Sequence, residues 1–516
     1  MTFTAAVCLF ATAGLAAAAG DALRCHPDLP GTRSLTVNGN VTGYAFASGR
    51  VVVHWARTPT CAGTATWNYV ADRRATAATA CTGTPGRMTA GVTGRLTAAQ
   101  GNRVVRVALA PASVDKPDRL VVLDRATNRR LASWPLFERP ARVALYGGIA
   151  ILSSAQRHGL YALRLSDGRI AMLGIARAAD RPLIGSAGVL YQDDLDLAMR
   201  RSAPNRVTLK LLPLAAVRRQ LALAGRQIGT SRITAMSMDG KRVAFAVHDP
   251  LGQCDKVLFW SIPWHFTARL TQRVGPTCLP THAAGGITNV AIAGDRAVWT
   301  TRYSGRTRVL AASIINCVEW VIARPAAGRQ RVTGLAGDGG VLAFALNRSV
   351  GVVPGGWRSN DITRTNDTLT AISADSGRVA ELHADGTVAV VSRGGRSEGH
   401  FYVGKARAIA LRRGTLAALR RGSLDVYDTA SGRLVHSWKV PAGARSVDLQ
   451  YGIALLAAGR DVIAVNVTTG RTARLFHAPG RVAAQIEAPG AAVQFNVGDR
   501  GFLRFIPMSA IEAQTS

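Results

Sequence analysis

The sequence predicts an all-β protein, a β-propeller whose four-stranded blades each occupy about 38–54 residues. Two observations predict this fold. A turn that contains Gly, Asp or Ser, followed by a short apolar strand, recurs along the chain, and the last copies are spaced by about 38 residues. Helical patterns, in contrast, are few, and the best are two short pieces that follow Pro213 and Pro507.

The repeated turn and strand occur through most of the chain. The clearest copies are GNRVVRVAL from Gly101, GGIAIL from Gly147, DGKRVAFAV from Asp239, GDRAVWT from Gly294, DGGVLAFAL from Asp338, SGRVAEL from Ser376, RGTLAAL from Arg413 and YGIALLA from Tyr451, with weaker copies near Gly49, Gly188 and Gly490. These segments alternate or run apolar and are rich in Val, Ile, Leu and Ala, which is typical of strands. Between Ala406 and Val440 four strands can be counted, which is the content of one blade.

The number of copies predicts how the chain is organised into domains. Eleven starts exceed the roughly four to eight blades of one ring, so we expect two propellers, with one large propeller as the alternative. Residues 23–285 form the propeller with longer, irregular blades, and residues 286–516 form the one with regular blades. The last repeat shows only three strands, and SLTVNG from Ser34 is the expected fourth strand that closes a ring.

One repeat carries a recognisable turn motif. In LDVYDTASGRLVHSW, a strand ends in Asp428, and a turn through Ser431, Gly432 and Arg433 leads into the next strand. The string resembles blades of the WD-repeat, YVTN and quinoprotein-like β-propeller superfamily, and the resemblance covers nearly the whole chain after residue 22. It implies the fold and no particular activity. The corresponding turn positions in other copies are Asp124, Thr127, Gly168 and Gly470, and Asn128 stands where a left-handed residue is needed.

The chain departs from these families at specific positions. Tyr427 and Leu123 stand where WD repeats carry Trp, and the Gly-His dipeptide is absent. Trp134 and Trp438 lie ten residues after the turn Asp, whereas the quinoprotein docking motif places its Trp eight residues after it. These departures weaken a quinone-dependent function more than they weaken the fold.

The N-terminus predicts export. Residues 1–22 contain an uncharged, Ala-rich apolar run that reads as a secretory signal, with cleavage expected after Ala19 or Ala22. Because no Lys or Arg precedes the run, a retained N-terminal anchor and a plain helix remain alternatives. We therefore expect a secreted or cell-envelope protein, outside the cytoplasm, that touches a membrane only if the segment is retained.

The cysteines agree with an oxidising compartment. Removal of Cys8 with the signal leaves an even number, which suits disulfides. Cys61 with Cys81 and Cys254 with Cys278 each flank an apolar stretch and are expected to clip the base of a hairpin, and Cys25 with Cys317 follows by elimination. No CxxC motif is present, so the sequence indicates neither a zinc knuckle nor a thioredoxin-like redox site.

The charge is strongly basic but dispersed. The formal net charge is +32, and 57 of the 63 cationic residues are arginines that never run beyond pairs. This pattern predicts a diffuse cationic surface rather than a nucleic-acid-binding arm, and aromatic residues for base stacking are scarce at 6%. The coding bias of a GC-rich bacterial genome is an alternative explanation for part of the excess.

The sequence contains no complete catalytic signature. It lacks a nucleophile elbow, a P-loop, a dinucleotide fingerprint and HExxH, so no catalytic or cofactor-binding residue and no cofactor can be named. Asp194 and Asp196 share one face of a strand in YQDDLDLAM and are weak candidates for binding a hard cation. Pairing of this acidic group with Arg200 or Arg201 is the favoured reading.

Two functions from different classes fit these features. The favoured one is an exported, non-enzymatic, monomeric propeller that binds a protein or an anionic cell-envelope polymer. The alternative is an enzyme with its site in a propeller channel: a quinoprotein-like dehydrogenase, a lyase or a glycan hydrolase. The last two require acidic or His side chains that meet in one channel.

Overall fold

In the computed structural model of the protein, almost all regular structure is antiparallel sheet. The structure describes residues 28–47, 49–58, 61–71, 73–77, 96–111, 115–155, 159–176, 181–193, 206–249, 254–270, 287, 289–294, 296–303, 306–314, 319–323, 332–338, 341–346, 348–353, 360–364 and 368–516. Within these ranges the strands form eleven four-stranded sheets. The all-β prediction and the four-stranded blade are therefore confirmed.

The chain divides into two compact units. The four-sheet unit comprises Pro27–Pro111 and Pro117–Ala224. Its sheet 1 contains β2 (Asn40–Ala47), β3 (Arg50–Thr58), β4 (Cys61–Asn68) and β5 (Arg73–Ala77), and sheet 2 contains β6 (Thr97–Gln100), β7 (Arg103–Ala108), β8 (Arg119–Asp124) and β9 (Arg130–Pro135). Sheet 3 contains β10 (Pro140–Tyr146), β11 (Ile149–Ser154), β12 (Gly159–Arg164) and β13 (Ile170–Ile175), and sheet 4 contains β14 (Leu183–Gly185), β15 (Gly188–Gln192), β16 (Arg206–Pro213) and β1 (Arg33–Asn38).

The seven-sheet unit comprises Gly225–Ser516 and the short segment that holds Asp115 and Lys116. Its first three sheets are sheet 5, with β18 (Ile233–Asp239), β19 (Arg242–Asp249), β20 (Cys254–Ser261) and β21 (Phe266–Arg269); sheet 6, with β22 (Val290–Ala293), β23 (Arg296–Tyr303), β24 (Arg306–Ser313) and β25 (Glu319–Ala323); and sheet 7, with β26 (Val332–Asp338), β27 (Val341–Leu346), β28 (Ser349–Val353) and β29 (Asn360–Arg364).

The remaining four sheets of this unit come from the C-terminal part of the chain. They are sheet 8, with β30 (Leu369–Asp375), β31 (Arg378–His383), β32 (Thr387–Ser392) and β33 (Ser397–Tyr402); sheet 9, with β34 (Ala408–Arg412), β35 (Thr415–Leu419), β36 (Ser423–Asp428) and β37 (Leu434–Lys439); sheet 10, with β38 (Ala444–Gln450), β39 (Ile453–Ala458), β40 (Asp461–Asn466) and β41 (Thr472–His477); and sheet 11, with β42 (Val482–Glu487), β43 (Gly490–Val497), β44 (Arg500–Pro507) and β17 (Ile228–Ser231).

Buried apolar clusters between neighbouring sheets hold the seven-sheet unit together. Phe259 of sheet 5 and Trp299 of sheet 6 belong to one cluster, and similar clusters join each later sheet to the next. Leu503 of sheet 11 and Phe245 of sheet 5 share a further cluster, so the last sheet packs on the first. The sheets therefore close a ring in which the innermost strands pack side by side.

The strand that closes each unit differs from the sequence prediction. The segment from Ser34 was expected to complete the last sheet, but as β1 it pairs with β16 from Arg33–Leu211 to Asn38–Arg206. The last sheet is completed instead by β17, whose Ser231 pairs with Arg500. In both units a strand from the start of the unit is the outer strand of its final sheet, because that sheet receives only three strands from the end of the unit and its outer edge is left to pair.

The division of the chain also differs from the expected one at residue 285. Sheet 5, which precedes this position, belongs to the same compact unit as the six sheets that follow it. Irregular blade length is a poor guide to a unit boundary, because it records loop insertions rather than which sheets share a core.

Two short helices follow the third strands of the final sheets, as the prolines predict. They are α1 (Leu214–Leu223) and α2 (Met508–Thr515), and each begins immediately after a proline. Pro213 and Pro507 have nearly the same extended backbone angles, φ −57° with ψ 143° and φ −62° with ψ 146°. A proline at this place needs no hydrogen-bond partner for the missing N–H, so it suits a helix start.

Candidate anion-binding site

The turn after the third strand of several sheets has a shared hydrogen-bond geometry. Asp428 Oδ1 accepts hydrogen bonds from Ser431 N at 2.8 Å and from Ser431 Oγ at 2.7 Å. Asp124 Oδ1 is bonded in the same way by Thr127 N and Oγ1, both at 2.9 Å. The hydrogen bonds from Ser431 lower the pKa of Asp428, and those from Thr127 lower the pKa of Asp124.

The left-handed position of this turn is occupied as its geometry requires. Gly432, Gly168 and Gly470 have φ of 67°, 69° and 73°, and Asn128 has φ of 54°. The backbone N–H of Asp428 donates to the carbonyl of Arg433, on the far side of the turn, at 3.0 Å. These residues shape the connection between two strands of one sheet, and none of these contacts prepares a chemical step.

A tryptophan on the outer strand of one sheet docks on this turn in the next sheet. The indole of Trp134 donates to Leu165 O at 3.2 Å, and the ring lies where a side chain at Gly168 would be. Trp438 makes the same contacts with Val467 O and Gly470. The ten-residue spacing therefore still allows docking between neighbouring sheets.

Polar side chains on the innermost strands link several neighbouring sheets of the ring. Three of them accept a hydrogen bond from a backbone N–H of the following sheet, and Gln485 of the last sheet accepts one from the first sheet. The bonds are Ile292 N to Ser237 Oγ (3.2 Å), Leu411 N to Ser373 Oγ (2.9 Å), Ile486 N to Asp448 Oδ2 (2.9 Å) and Met238 N to Gln485 Oε1 (2.5 Å).

A second acceptor sits two residues further along some of these strands. Asp239 accepts from Gly294 N, and Asp375 Oδ2 accepts from Arg413 N at 2.6 Å. In sheet 9 the equivalent residue is Arg412, which has no acceptor atom. Asp115 takes its place and accepts from Tyr451 N at 2.8 Å.

Two carboxylates meet in this region, as a channel-site enzyme would require. Arg412 Nη1 lies 3.2 Å from Asp375 Oδ1, and Arg412 Nε lies 3.6 Å from Asp115 Oδ1. Asp375 is fully buried and also bonded by Arg378 at 3.1 Å. Both carboxylates are thus held by arginines and by backbone amides, so we interpret the group as a device that joins sheets rather than as an acid–base pair.

An open cleft in the four-sheet unit has a different character. It has a volume of about 440 Å3 and is lined by three arginines from three elements. Arg103 begins β7, Arg164 ends β12 and Arg218 lies on α1, while Gly147, Gly148 and Leu221 complete much of the wall. This volume is within the range of small-ligand sites, about 300–1,000 Å3.

Two of the cleft arginines have no partner among the residues that the structure describes. The side chains of Arg103 and Arg218 are exposed and form neither an ion pair nor a hydrogen bond with any described residue. Arg164 binds Asp167, with Nε 2.9 Å from Oδ1 and a second, shorter contact from Nη2 to Oδ2. The described residues that line the cleft thus include three guanidinium groups and no carboxylate, so the cleft has a positive field.

The same acidic residue connects the cleft to the helix. The hydrogen bond from Arg164 lowers the pKa of Asp167, so this carboxylate stays ionised at neutral pH. Arg169 lies 4.0 Å from Asp167 and donates to Ala222 O of α1 at 3.3 Å. The helix that carries Arg218 is thus tied to the strand that carries Arg164.

The glycine turn leaves the floor of the cleft without side chains. Gly147 and Gly148 have φ of 55° and 76°, and a Cβ at Gly147 would meet nothing within 4 Å. The N–H of Gly147 donates to Gln100 Oε1 at 2.6 Å, which fixes the turn. An oxyanion can approach the backbone closely at such a turn.

The weak metal candidates and most predicted cysteines lie outside the described residues. Asp194 and Asp196 lie outside the described residues, whereas Asp193 beside them binds Lys210 Nζ at 2.8 Å. Cys61 is disulfide-bonded. The side chains of Cys25, Cys81, Cys254, Cys278 and Cys317 are not described, so their pairing stays a prediction. The described residues contain no group of three His, Cys, Asp or Glu side chains placed to hold a metal ion.

The cleft arginines were not singled out from the sequence. Arg103 and Arg164 each stand beside a turn of the repeat, and Arg218 belongs to a pair on a predicted helix. Each looks like one more dispersed arginine, because only the packing of the sheets and helix brings the three together. Comparing turn positions between repeats was the signal that could have found them.

Comparison with known proteins assigns this chain to no family. No known family profile matches the chain, and no curated protein matches it. Similar solved structures include the computationally designed Ika8 protein, 14% identical with a TM-score of 0.33, covering 70% of this chain and 92% of that one. Another is the WD40 beta propeller domain of Doa1, 11% identical with a TM-score of 0.42, covering 56% of this chain and 98% of that one. The fold assignment rests on the four-stranded sheets.

Among the described residues, no helix is both long and apolar enough to cross a bilayer.

Proposed function

We propose that this protein is an exported, non-enzymatic propeller that binds an anionic polymer of the cell envelope. The observation that carries the proposal is the cleft of the four-sheet unit, where Arg103 and Arg218 face solvent without an acidic partner among the described residues. Unpaired guanidinium groups in a cleft are available to a ligand, whereas arginines held by Asp or Glu are not.

The charge of the whole chain supports the same partner class. A formal charge of +32 attracts polyanions at a distance, and the cleft supplies a place where the attraction becomes a contact. The apolar N-terminal run and the even cysteine count after its removal support export. The disulfide at Cys61 is consistent with an oxidising compartment.

The channel-site enzyme has weaker support. The two carboxylates that converge on Arg412 are the best candidates for it, and both accept backbone N–H groups that hold neighbouring parts of the ring together. A general acid or base has to exchange its proton during turnover, whereas these two carboxylates are engaged by arginines and by backbone N–H groups.

The test is adsorption of the mature protein to purified cell-wall material. We expect adsorption at low salt that falls steeply as salt rises, because the Debye length shrinks to about 10 Å at 0.1 M. Arg103→Ala should weaken adsorption more than Arg106→Ala, which removes an exposed arginine from the same strand but outside the cleft. Adsorption that is insensitive to salt, or equally weakened by both substitutions, would contradict the proposal.

A further inference from the structure

Sheets 2 and 3 of the four-sheet unit have counterparts in sheets 9 and 10 of the seven-sheet unit. The two pairs share their turn bonds, their docked tryptophans and the position of the glycine beneath each tryptophan. The matching backbone bonds are Leu165 N to Gly148 O (3.0 Å) with Val467 N to Gly452 O (2.9 Å), and Gly168 N to Arg164 O (2.9 Å) with Gly470 N to Asn466 O (2.8 Å).

The correspondence between the two units also includes the positions of Arg103 and Arg218. Arg103 and Thr415 each begin the second strand of their sheet, and they pair with Asp124 and Asp428 respectively. The helices match because each starts after the proline of the final sheet. Arg218 and Glu512 are each the fifth residue after that proline.

This correspondence gives each cleft arginine a counterpart in a scaffold of the same construction. The counterparts are Thr415 for Arg103, Asn466 for Arg164 and Glu512 for Arg218, and Tyr451 stands where the cleft has Gly147. The scaffold forms with either set, so the fold does not require the arginines. The general excess of arginine in the chain does not account for the cleft either, because none of the three counterpart positions carries arginine.

We infer that the cleft is a dedicated site for one phosphate group of the anionic partner. The inference rests on the proposed function for the identity of that partner, but its test does not. Arg164 already shows how a carboxylate is bound here, since Asp167 uses both of its oxygens on one guanidinium. Arg103 and Arg218 have no such partner among the described residues. A phosphate has enough acceptor oxygens to bind guanidinium groups from several sides.

The floor of the cleft suits the same ligand. Gly147 and Gly148 carry no side chain at the turn between the first two strands of sheet 3, so a tetrahedral oxyanion has room there beside the guanidinium of Arg103. In the other unit the side chain of Tyr451 stands at this turn and the helix position is acidic. The counterpart is therefore expected not to bind phosphate.

The experiment is calorimetric titration of the whole mature protein with inorganic phosphate and, separately, with acetate. We compare the wild type with Arg103→Thr/Arg218→Glu, which installs residues that the counterpart carries, and with Arg106→Thr/Arg219→Glu as the matched control. The control makes the same change in formal charge on the same strand and the same helix, outside the cleft. Arg103→Lys/Arg218→Lys keeps the charge but loses the planar fork.

We expect the wild type and the Arg106→Thr/Arg219→Glu control to bind phosphate with the same affinity. The cleft variant Arg103→Thr/Arg218→Glu should lose about tenfold or more in affinity, and Arg103→Lys/Arg218→Lys several-fold. Acetate should bind to the wild type about tenfold more weakly than phosphate. Equal losses in control and cleft variants would overturn the inference, and so would equal binding of phosphate and acetate. If either Thr/Glu variant fails to fold, the phosphate affinity of Arg103→Lys/Arg218→Lys tests the inference instead, and an affinity equal to that of the wild type would overturn it. If the protein adsorbs to cell-wall material in a salt-sensitive way but does not bind phosphate in the cleft, this inference is wrong and the proposed function stands. If it binds phosphate in the cleft but does not adsorb to cell-wall material, the proposed function is wrong and this inference stands.

Discussion

The indole Nε1 of Trp438 donates a hydrogen bond of 2.9 Å to the carbonyl oxygen of Val467. This bond joins the outer strand of sheet 9 to the end of the third strand of sheet 10, and the ring covers the turn glycine Gly470. The two sheets also share a buried apolar cluster against which Trp438 packs. Docking of one sheet on the next is therefore tied to a glycine that has no room for a side chain.

The first prediction concerns that glycine. Gly470→Ala should destabilise the seven-sheet unit, because a φ of 73° strains an L residue and the added Cβ would clash with the indole ring of Trp438. Gly459→Ala is the matched control, since φ is 65° and nothing lies within 4 Å of its Cβ. We expect about 1–2 kcal/mol for the control and a further 1–3 kcal/mol or so for Gly470→Ala in urea unfolding. Equal losses would show that the tryptophan moves aside freely.

The second prediction concerns the acceptors that join the innermost strands. Asp375→Asn should cost about 3–5 kcal/mol, because it leaves Arg412 and Arg378 facing a buried neutral group. Ser373→Ala, on the same strand, removes only the bond to Leu411 N and should cost about 1 kcal/mol. Urea unfolding of both variants tests the ranking. A small loss for Asp375→Asn would reopen the reading of this carboxylate as a catalytic group.

Local features of this fold were predictable because they depend on neighbours in sequence. The turn at Asp428 needs only Ser431 three residues later, and each helix start needs only its proline. The closing strands were not predictable in the same way. Ile228–Ser231 is short and has a single large apolar residue, so its pattern is weaker than that of Ser34–Asn38, which alternates. Which strand completes which sheet depends on the path of the chain through each unit.

The cleft shows a second limit of sequence reasoning. Arg103, Arg164 and Arg218 come from separate elements, and no spacing rule connects them. Their significance appears only when the chain is compared with itself. Thr415, Asn466 and Glu512 occupy the same places in sheets 9 and 10 and in α2, and that contrast separates cleft arginines from the general arginine excess.

The third prediction is a pH dependence at Asp448, which accepts hydrogen bonds from Leu449 N and Ile486 N, both at 2.9 Å. Burial raises the pKa of Asp448 from 3.8 to about 6, although these bonds and the charge of Arg412 oppose the rise. A folded pKa above the unfolded one means that the native state binds the proton more tightly. Stability contributed by the protonated group is therefore present below about pH 4 and is lost as pH rises towards about 6, by up to about 3 kcal/mol.

Asp448→Asn removes this titration and keeps the shape of the side chain. Relative to the wild type, the variant should gain stability as pH rises from about 4 to about 7, and the difference between the two proteins is the quantity to follow. Urea unfolding of both proteins across this range measures it. Parallel curves would mean that Asp448 titrates with an ordinary pKa in the folded ring.

The fourth prediction concerns Lys210, which pairs with Asp193 Oδ2 at 2.8 Å and with Asp28 Oδ1 at 2.7 Å. Burial alone would lower the pKa of Lys210, but Asp193 and Asp28 more than offset this and raise it. Stability from the charged amine should therefore be fully present below its ordinary pKa of 10.5 and be lost as pH rises through the raised value. The first carboxylate of the acidic stretch, Asp193, is thus the partner of a buried lysine on β16.

A double-mutant cycle separates this structural role from a metal site. Lys210→Met should cost about 3–5 kcal/mol, because it leaves the carboxylate of Asp193, only 5% exposed, without its cation. Adding Asp193→Asn should recover much of that loss, since the buried charge is then gone as well. A carboxylate that served a bound cation in the native protein would behave differently: added calcium would stabilise the wild type and not Asp193→Asn. Thermal unfolding of these two proteins with and without calcium distinguishes the two cases, and stabilisation confined to the wild type would favour the metal.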